Sequence, residues 1–183
     1  MIRKILIIII TSVILLIFAG TGFAQHLGDE QHHNSEKNRH RLALEIGSAY
    51  IPDGFESEQG DEDLFVPTIG MEYQYFIDKK WALGVMADVE LGEYLVPFGQ
   101  DVLNRNKVFI LTLVGVYEIM THWEIFAGGG MEFEDHHNLG VLRIGTAYEF
   151  LLGKEWDLSP GLSYDYKEEY HSWGIVFSFG KRF

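Results

Sequence analysis

The chain has 183 residues and no cysteine, so a disulfide framework, a thiolate metal site and a cysteine nucleophile are excluded. That length suits one domain better than two. With 14 basic residues against 27 acidic ones the formal charge is −13, and such a polyanion repels phosphates, which argues against any nucleic-acid partner.

In chain order, Arg3 and Lys4 precede an apolar run from Ile5 to Phe18 that only Thr11 and Ser12 interrupt. Gly22 and Ala24 then flank Phe23 in the small-residue pattern that a signal peptidase reads. Residues 1–24 are therefore expected to be a secretory signal peptide, cleaved after Ala24. A retained anchor is the weaker alternative, because the run falls short of the roughly 20 residues needed to span a bilayer. Cleavage would take two of the 14 basic residues and leave 12 against 27 acidic ones, a charge of −15.

Residues 25–40 are polar, His-rich and without periodicity, and are expected to form a flexible periplasmic segment. Within it His26, His32, His33 and His40 stand among Asp29, Glu30 and Glu36, a donor set that suits a divalent cation. Their spacing matches no defined site, so a solvated tail is the plainer reading. His136 and His137 offer a weaker version of the same idea. No other cofactor is implied.

From Arg41 onward, segments of about ten residues alternate apolar and polar positions between turn-forming residues. Strands are expected near 41–51, 64–77, 81–91, 107–119, 123–133, 139–151, 156–166 and 172–183. The fold class is therefore all-β, an eight-stranded antiparallel up-and-down transmembrane β-barrel over residues 41–183. Tight turns at 78–80, 120–122 and 152–155 contrast with longer connections at 52–63 and 92–106, with shorter loops at 134–138 and 167–171. This is the asymmetry of periplasmic and extracellular ends, and it puts both termini in the periplasm of a Gram-negative outer membrane.

One strand face carries Leu42, Leu44 and Ile46, or Leu142, Ile144 and Tyr148. The other mixes glycine with charge, as in Gly70 and Glu72, or Gly145 and Glu149. A soluble lipocalin-like barrel would share this alternation with its apolar face inward. The aromatics decide against it: Tyr75, Trp81, Tyr117, Trp123 and Trp156 lie on the apolar face beside the short turns. Tyr50, Phe65, Phe133, Tyr164 and Trp173 lie on that same face beside the loops, as two membrane interfaces require.

The polar face is expected to fill the lumen. Asp88, Glu90, Glu132 and Asp165, with Arg143, are placed in its loop-end half. Glu45, Glu72, Glu118, Glu124, Glu149 and Asp157, with Arg41 and Arg182, are placed toward the turn end. Ten carboxylates against three arginines exceed what pairing can cover, so acids must be protonated, or water or a cation must enter. A salt-bridged plug is the first reading, and a narrow passage for cations or small solutes is the alternative. An enzyme acting on lipid A is a third, but His171 and Ser172 are adjacent on a strand, point to opposite faces and cannot readily pair as base and nucleophile.

The last strand ends WGIVFSFGKRF. Ile175, Phe177, Phe179 and the terminal Phe183 resemble the signal by which outer-membrane barrels are handed to their assembly machinery, although Lys181 stands where an apolar residue is usual. With the stretches FAGGGMEFED, VLRIGTAYEF and DLSPGLSYDY, residues 41–183 resemble the small eight-stranded bacterial outer-membrane β-barrels, closest to uncharacterised porin-like members. The resemblance implies fold and location, with outer-membrane lipids, lipopolysaccharide and the assembly machinery as partners. It implies no established activity, and the expected role is non-enzymatic: envelope integrity or surface interaction.

Overall fold

The computed structural model describes residues 39–52, 54–55, 64–98, 101–134 and 137–183, and all regular structure in them is strand. The strands are β1 (His40–Ile51), β2 (Leu64–Phe76), β3 (Trp81–Glu90), β4 (Glu93–Phe98), β5 (Asp101–Asn106) and β6 (Phe109–Met120). They continue as β7 (Trp123–Phe133), β8 (Leu139–Tyr148), the short β9 (Phe150–Leu151), β10 (Trp156–Lys167) and β11 (His171–Arg182).

Every wall pairing is antiparallel, and the order is β11-β1-β2-β3-β6-β7-β8-β10, with β9 extending β8 along β10. β10 also pairs with β11, which closes the sheet. The closing seam runs from Arg41 opposite Arg182 to Tyr50 opposite Trp173. Eight strands thus form a transmembrane β-barrel without a free edge.

Period-two alternation sets the faces. Ile46 is 65% exposed and Leu142 64%, while Arg41 is 3% exposed and Glu132 wholly buried. A water-soluble protein does not sustain an apolar surface band of this kind around a charged interior, whereas a bilayer selects it. The aromatics face outward in pairs near each rim. Trp81 meets Tyr117 at 4.6 Å and Trp156 meets Phe179 at 5.0 Å near the turns, and Tyr50 meets Phe65 at 4.9 Å near the loops.

At one tight turn Asp78 Oδ1 accepts the backbone N–H groups of Lys80 and Trp81 at 2.8 and 2.9 Å, and these two bonds hold its carboxyl below the usual range. The connection after β3 departs from expectation. Residues 92–106 are not an irregular surface loop but the β4–β5 hairpin, in register from Glu93 opposite Asn106 to Phe98 opposite Asp101. Leu95 exchanges backbone hydrogen bonds with Phe55 at 2.9 and 3.0 Å, which ties the hairpin to the preceding loop. Tyr94 and Val96 then turn inward and are fully buried.

The lumen is also less uniformly polar than the glycine-and-charge pattern implied. Beneath the hairpin, Ile51, Val66, Val108, Ile110, Leu139 and Val141 form an apolar layer with Tyr94 and Val96. A second cluster, Met86, Val114, Val116 and Phe126, lies elsewhere on the inner wall. Strand β6, apolar on both faces, supplies residues to each. Phe126 fits because Gly145 has no side chain: a Cβ there would overlap the ring.

Candidate functional site

The inward charges form groups in which one cation bridges two carboxylates from different strands. Toward the turn end, Arg41 on β1 binds Asp157 on β10 at 2.6 Å through Nη2 and Glu72 on β2 at 2.6 Å through Nη1. Ser159 and Gln74 extend this group, donating to Asp157 at 3.2 Å and to Glu72 at 2.8 Å. Further along, Arg143 on β8 takes Asp165 on β10 with two bonds of 2.8 Å and Asp88 on β3 at 2.5 Å. The fork of each guanidinium matches this two-carboxylate arrangement.

At the loop end, Lys167 Nζ lies 3.2 Å from Glu90 on β3 and 2.7 Å from Glu132 on β7. Lys167 corrects the expected loop start: it is the last residue of β10, two after Asp165 and on the same inward face. Arg105 on the hairpin joins the group, with Nη2 3.2 Å from Glu132 and Nη1 donating to the carbonyl of His137 at 2.6 Å. Tyr94 donates to Glu90, and Tyr170 donates to Glu132 at 2.9 Å while accepting from Lys167 at 2.9 Å. Burial pushes both phenols far above their ordinary range, so each stays a donor.

The cation side of the ledger therefore has five members, Arg41, Arg105, Arg143, Lys167 and Arg182, and not three. Lys167 sits at the head of a Lys-Glu-Glu run that looks solvated, and Arg105 lies inside what reads as a surface loop. At the turn rim Arg182 holds Glu149 at 2.6 Å, and Glu118 accepts the His122 backbone N–H at 3.1 Å. The Glu149 carboxylate, 3.8 Å from His122 Nδ1, raises the pKa of that imidazole.

Two inward carboxylates stand apart. Among the described residues, Glu45 accepts a 2.6 Å bond from Ser178 but makes no direct ion pair, and the Glu124 carboxylate makes neither a hydrogen bond nor a direct ion pair, although its backbone oxygen accepts from Thr146 at 2.7 Å. Both line a cavity of ≈ 70 Å³ within the barrel. Buried pairs of this type do not add much net stability, because desolvation offsets attraction, but breaking one leaves an uncompensated charge. The groups therefore specify closure more than they strengthen it.

The histidines separate. His26, His32, His33 and His136 lie outside the described residues. His40 opens β1, with Nδ1 2.6 Å from the Tyr73 hydroxyl and its ring stacked on Phe183. Ile175, Phe177, Phe179 and Phe183 all face outward. His171 packs on the Tyr164 ring outside, while Ser172 is buried inside.

A closed antiparallel wall with an apolar outer band and a charged interior defines the fold of the small eight-stranded outer-membrane β-barrels. Solved structures agree. Neisserial surface protein A matches with a TM-score of 0.55 at 12% identity, over 79% of this chain and 97% of that one. The N-terminal β-barrel domain of Pseudomonas aeruginosa OprF matches at 0.52 and 13%, over 81% and 100%. Ail, the attachment invasion locus protein of Yersinia pestis, matches at 0.50 and 10%, over 80% and 99%. At these identities the likeness is one of fold, and that fold is the one used by integral outer-membrane barrels of Gram-negative bacteria. No protein-family model and no curated protein matches the sequence.

Proposed function

We propose that this protein is an integral outer-membrane barrel whose lumen is closed to solutes, and that it serves envelope integrity or surface interaction without catalysis. The observation that carries the reading is the loop-end cap. Lys167, Glu90, Glu132, Arg105, Tyr94 and Tyr170 interlock beneath a hairpin that buries its own Tyr94 and Val96, and Lys167, Glu132 and Arg105 are themselves out of reach of solvent. The tight turns and both termini face the periplasm, and the loops face outward. Outer-membrane phospholipid and lipopolysaccharide surround the apolar band. Ile175, Phe177, Phe179 and Phe183 present the closing strand to the assembly machinery.

The surface role draws on the hairpin, which anchors a loop-end platform to the barrel instead of leaving a loose connection. Among the fold relatives, Ail is named for attachment and invasion, which is a property of that protein. The non-catalytic reading is supported by the separation of His171 and Ser172 across the wall. Swelling of liposomes carrying the refolded protein in iso-osmotic small sugars or amino acids tests closure. No swelling above protein-free vesicles is expected, and porin-like swelling would overturn the reading.

A second reading, a narrow cation passage, is favoured by one observation. The inner cavity is lined by more carboxylates than cations. The same vesicles loaded with a cation-sensitive dye distinguish it.

A further inference from the structure

Each of the eight wall strands is paired on both sides, whereas among the described residues β5 is paired on one side only, with β4. The register, together with the bond from the Lys107 N–H to the Gly92 carbonyl at 3.1 Å, fixes which backbone groups serve that pairing. Bonded pairs alternate along an antiparallel ladder, so they are Tyr94 with Arg105, Val96 with Leu103 and Phe98 with Asp101. The far side of β4 agrees, since Leu95 is the residue that bonds Phe55 there. The N–H and C=O groups of Val102, Asn104 and Asn106 therefore point away from β4, and no backbone partner among the described residues meets them.

Open edges of this kind are usually blunted by proline, by lysine or by cover. β5 has the sequence DVLNRN, with no proline or lysine, and its one cation, Arg105, is buried in the loop-end ion group. Val102 is 52% exposed, and Asn104 and Asn106 are exposed beside it. An unpaired edge accepts an extended peptide, whose backbone supplies the bonds while its side chains set the specificity.

Charge selects the peptide. The loop-end connections carry six Asp and Glu between 52 and 63, and two more in each of 92–107, 134–138 and 168–170. Against them stand only Arg105, which is buried, and Lys107. Glu93 is exposed opposite Asn106, and Asn104 Nδ2 lies 3.4 Å from its carboxylate, so negative charge reaches the strand itself. A second copy of this chain, or a lipopolysaccharide phosphate, would bring like charge to like.

We propose that the open edge of β5 binds an extended, lysine- or arginine-rich segment of another protein, which adds as a third strand to the β4–β5 hairpin. Such binding gives the surface-interaction role its class of partner, and it rests on that reading of the loop end.

The test uses the full chain refolded in detergent micelles and a short fluorescent peptide of alternating lysine and threonine, with binding read by anisotropy. Saturable binding is expected, with isotope-labelled peptide carbonyls moving to the infrared frequency of a strand. The same peptide N-methylated throughout keeps its charge but loses its donors, and its affinity should fall about tenfold or more. Asn104→Pro removes one outward N–H without touching a bond to β4 and should weaken the unmodified peptide by a similar factor, whereas Asn104→Thr, which keeps that N–H, should bind as the wild type does. Heat-modified gel migration confirms that each variant forms the barrel. A glutamate-threonine peptide should not bind. Equal affinity of the N-methylated peptide, or a bound peptide without the strand frequency, would mean attraction of charge alone and would overturn the proposal, as would no saturable binding by the wild type. Porin-like swelling of the liposomes would sink the closed-barrel reading and leave this result standing, so the two failures are distinguishable.

Discussion

Lys167 Nζ sits 2.7 Å from Glu132 Oε2, and neither side chain is reached by solvent. The same ammonium faces Glu90 at 3.2 Å, so one buried cation from β10 joins β3 to β7 across the mouth of the barrel. Replacing it leaves Glu90 without a cation and Glu132 with Arg105 alone. Lys167→Met is expected to lower stability by about 3–5 kcal/mol, the usual cost of breaking a buried pair. Urea unfolding in detergent, followed by tryptophan fluorescence, checks this. Lys167→Met/Glu132→Gln should recover part of the loss.

A steric test falls on Gly180. A Cβ there would lie 2.6 Å from Arg41 Nε and 2.7 Å from Asp157 Oδ1, where the turn-end ion pair already fills the space. Gly180→Ala is therefore expected to cost about 1–3 kcal/mol, as overpacking does. Gly115 is the contrast, since a Cβ there meets only the Ala127 carbonyl at 3.9 Å. Gly115→Ala should be near neutral in the same unfolding assay.

The turn rim carries a pH dependence. Interaction with Glu149 raises the pKa of His122 above its ordinary value. The stability it contributes is thus complete below the unfolded imidazole pKa and fades as pH rises through the folded one. His122→Gln should destabilise the barrel measurably near pH 5.5 and little near pH 9. Thermal melts of both proteins across that window check the sign, and an effect larger at alkaline pH would contradict it.

If the chain performs no lipid chemistry, its expression leaves lipid A unchanged. Mass spectrometry of lipid A from matched cells with and without the protein should give one acylation pattern. The expectation rests on His171 lying against Tyr164 outside the wall while Ser172 is buried within.

The wall was legible because period-two alternation is a local property. Leu44 and Glu45, or Ile144 and Gly145, announce their faces without knowledge of any partner. β6 was legible only in part, since Ile110, Val114 and Val116 make its inner face as apolar as its outer one, and only neighbouring strands reveal why. The hairpin is hard to read from sequence because Pro97 and the polar ends of 93–106 look like a loop. Its available signal was Gly99-Gln100, a two-residue turn sequence with Gly in first place, between Tyr94, Val96 and Phe98 on one side and Val102 on the other. Lys167 could have been found by continuing the inward parity of Asp157, Ser159 and Asp165 by one more step. The pairing of particular charges could not, because register and barrel shear bring Arg41 to Asp157, 116 residues away.

The β4–β5 hairpin and the loop-end ion group together make the central claim, a closed barrel, and planar-bilayer recording tests it most directly. The refolded wild type is expected to show no stable openings. A variant with residues 93–106 replaced by a short Gly-Ser linker, which removes Tyr94, Val96 and Arg105 from the mouth, is expected to show openings. Stable, cation-selective openings in the wild type, unchanged by that replacement, would contradict the account.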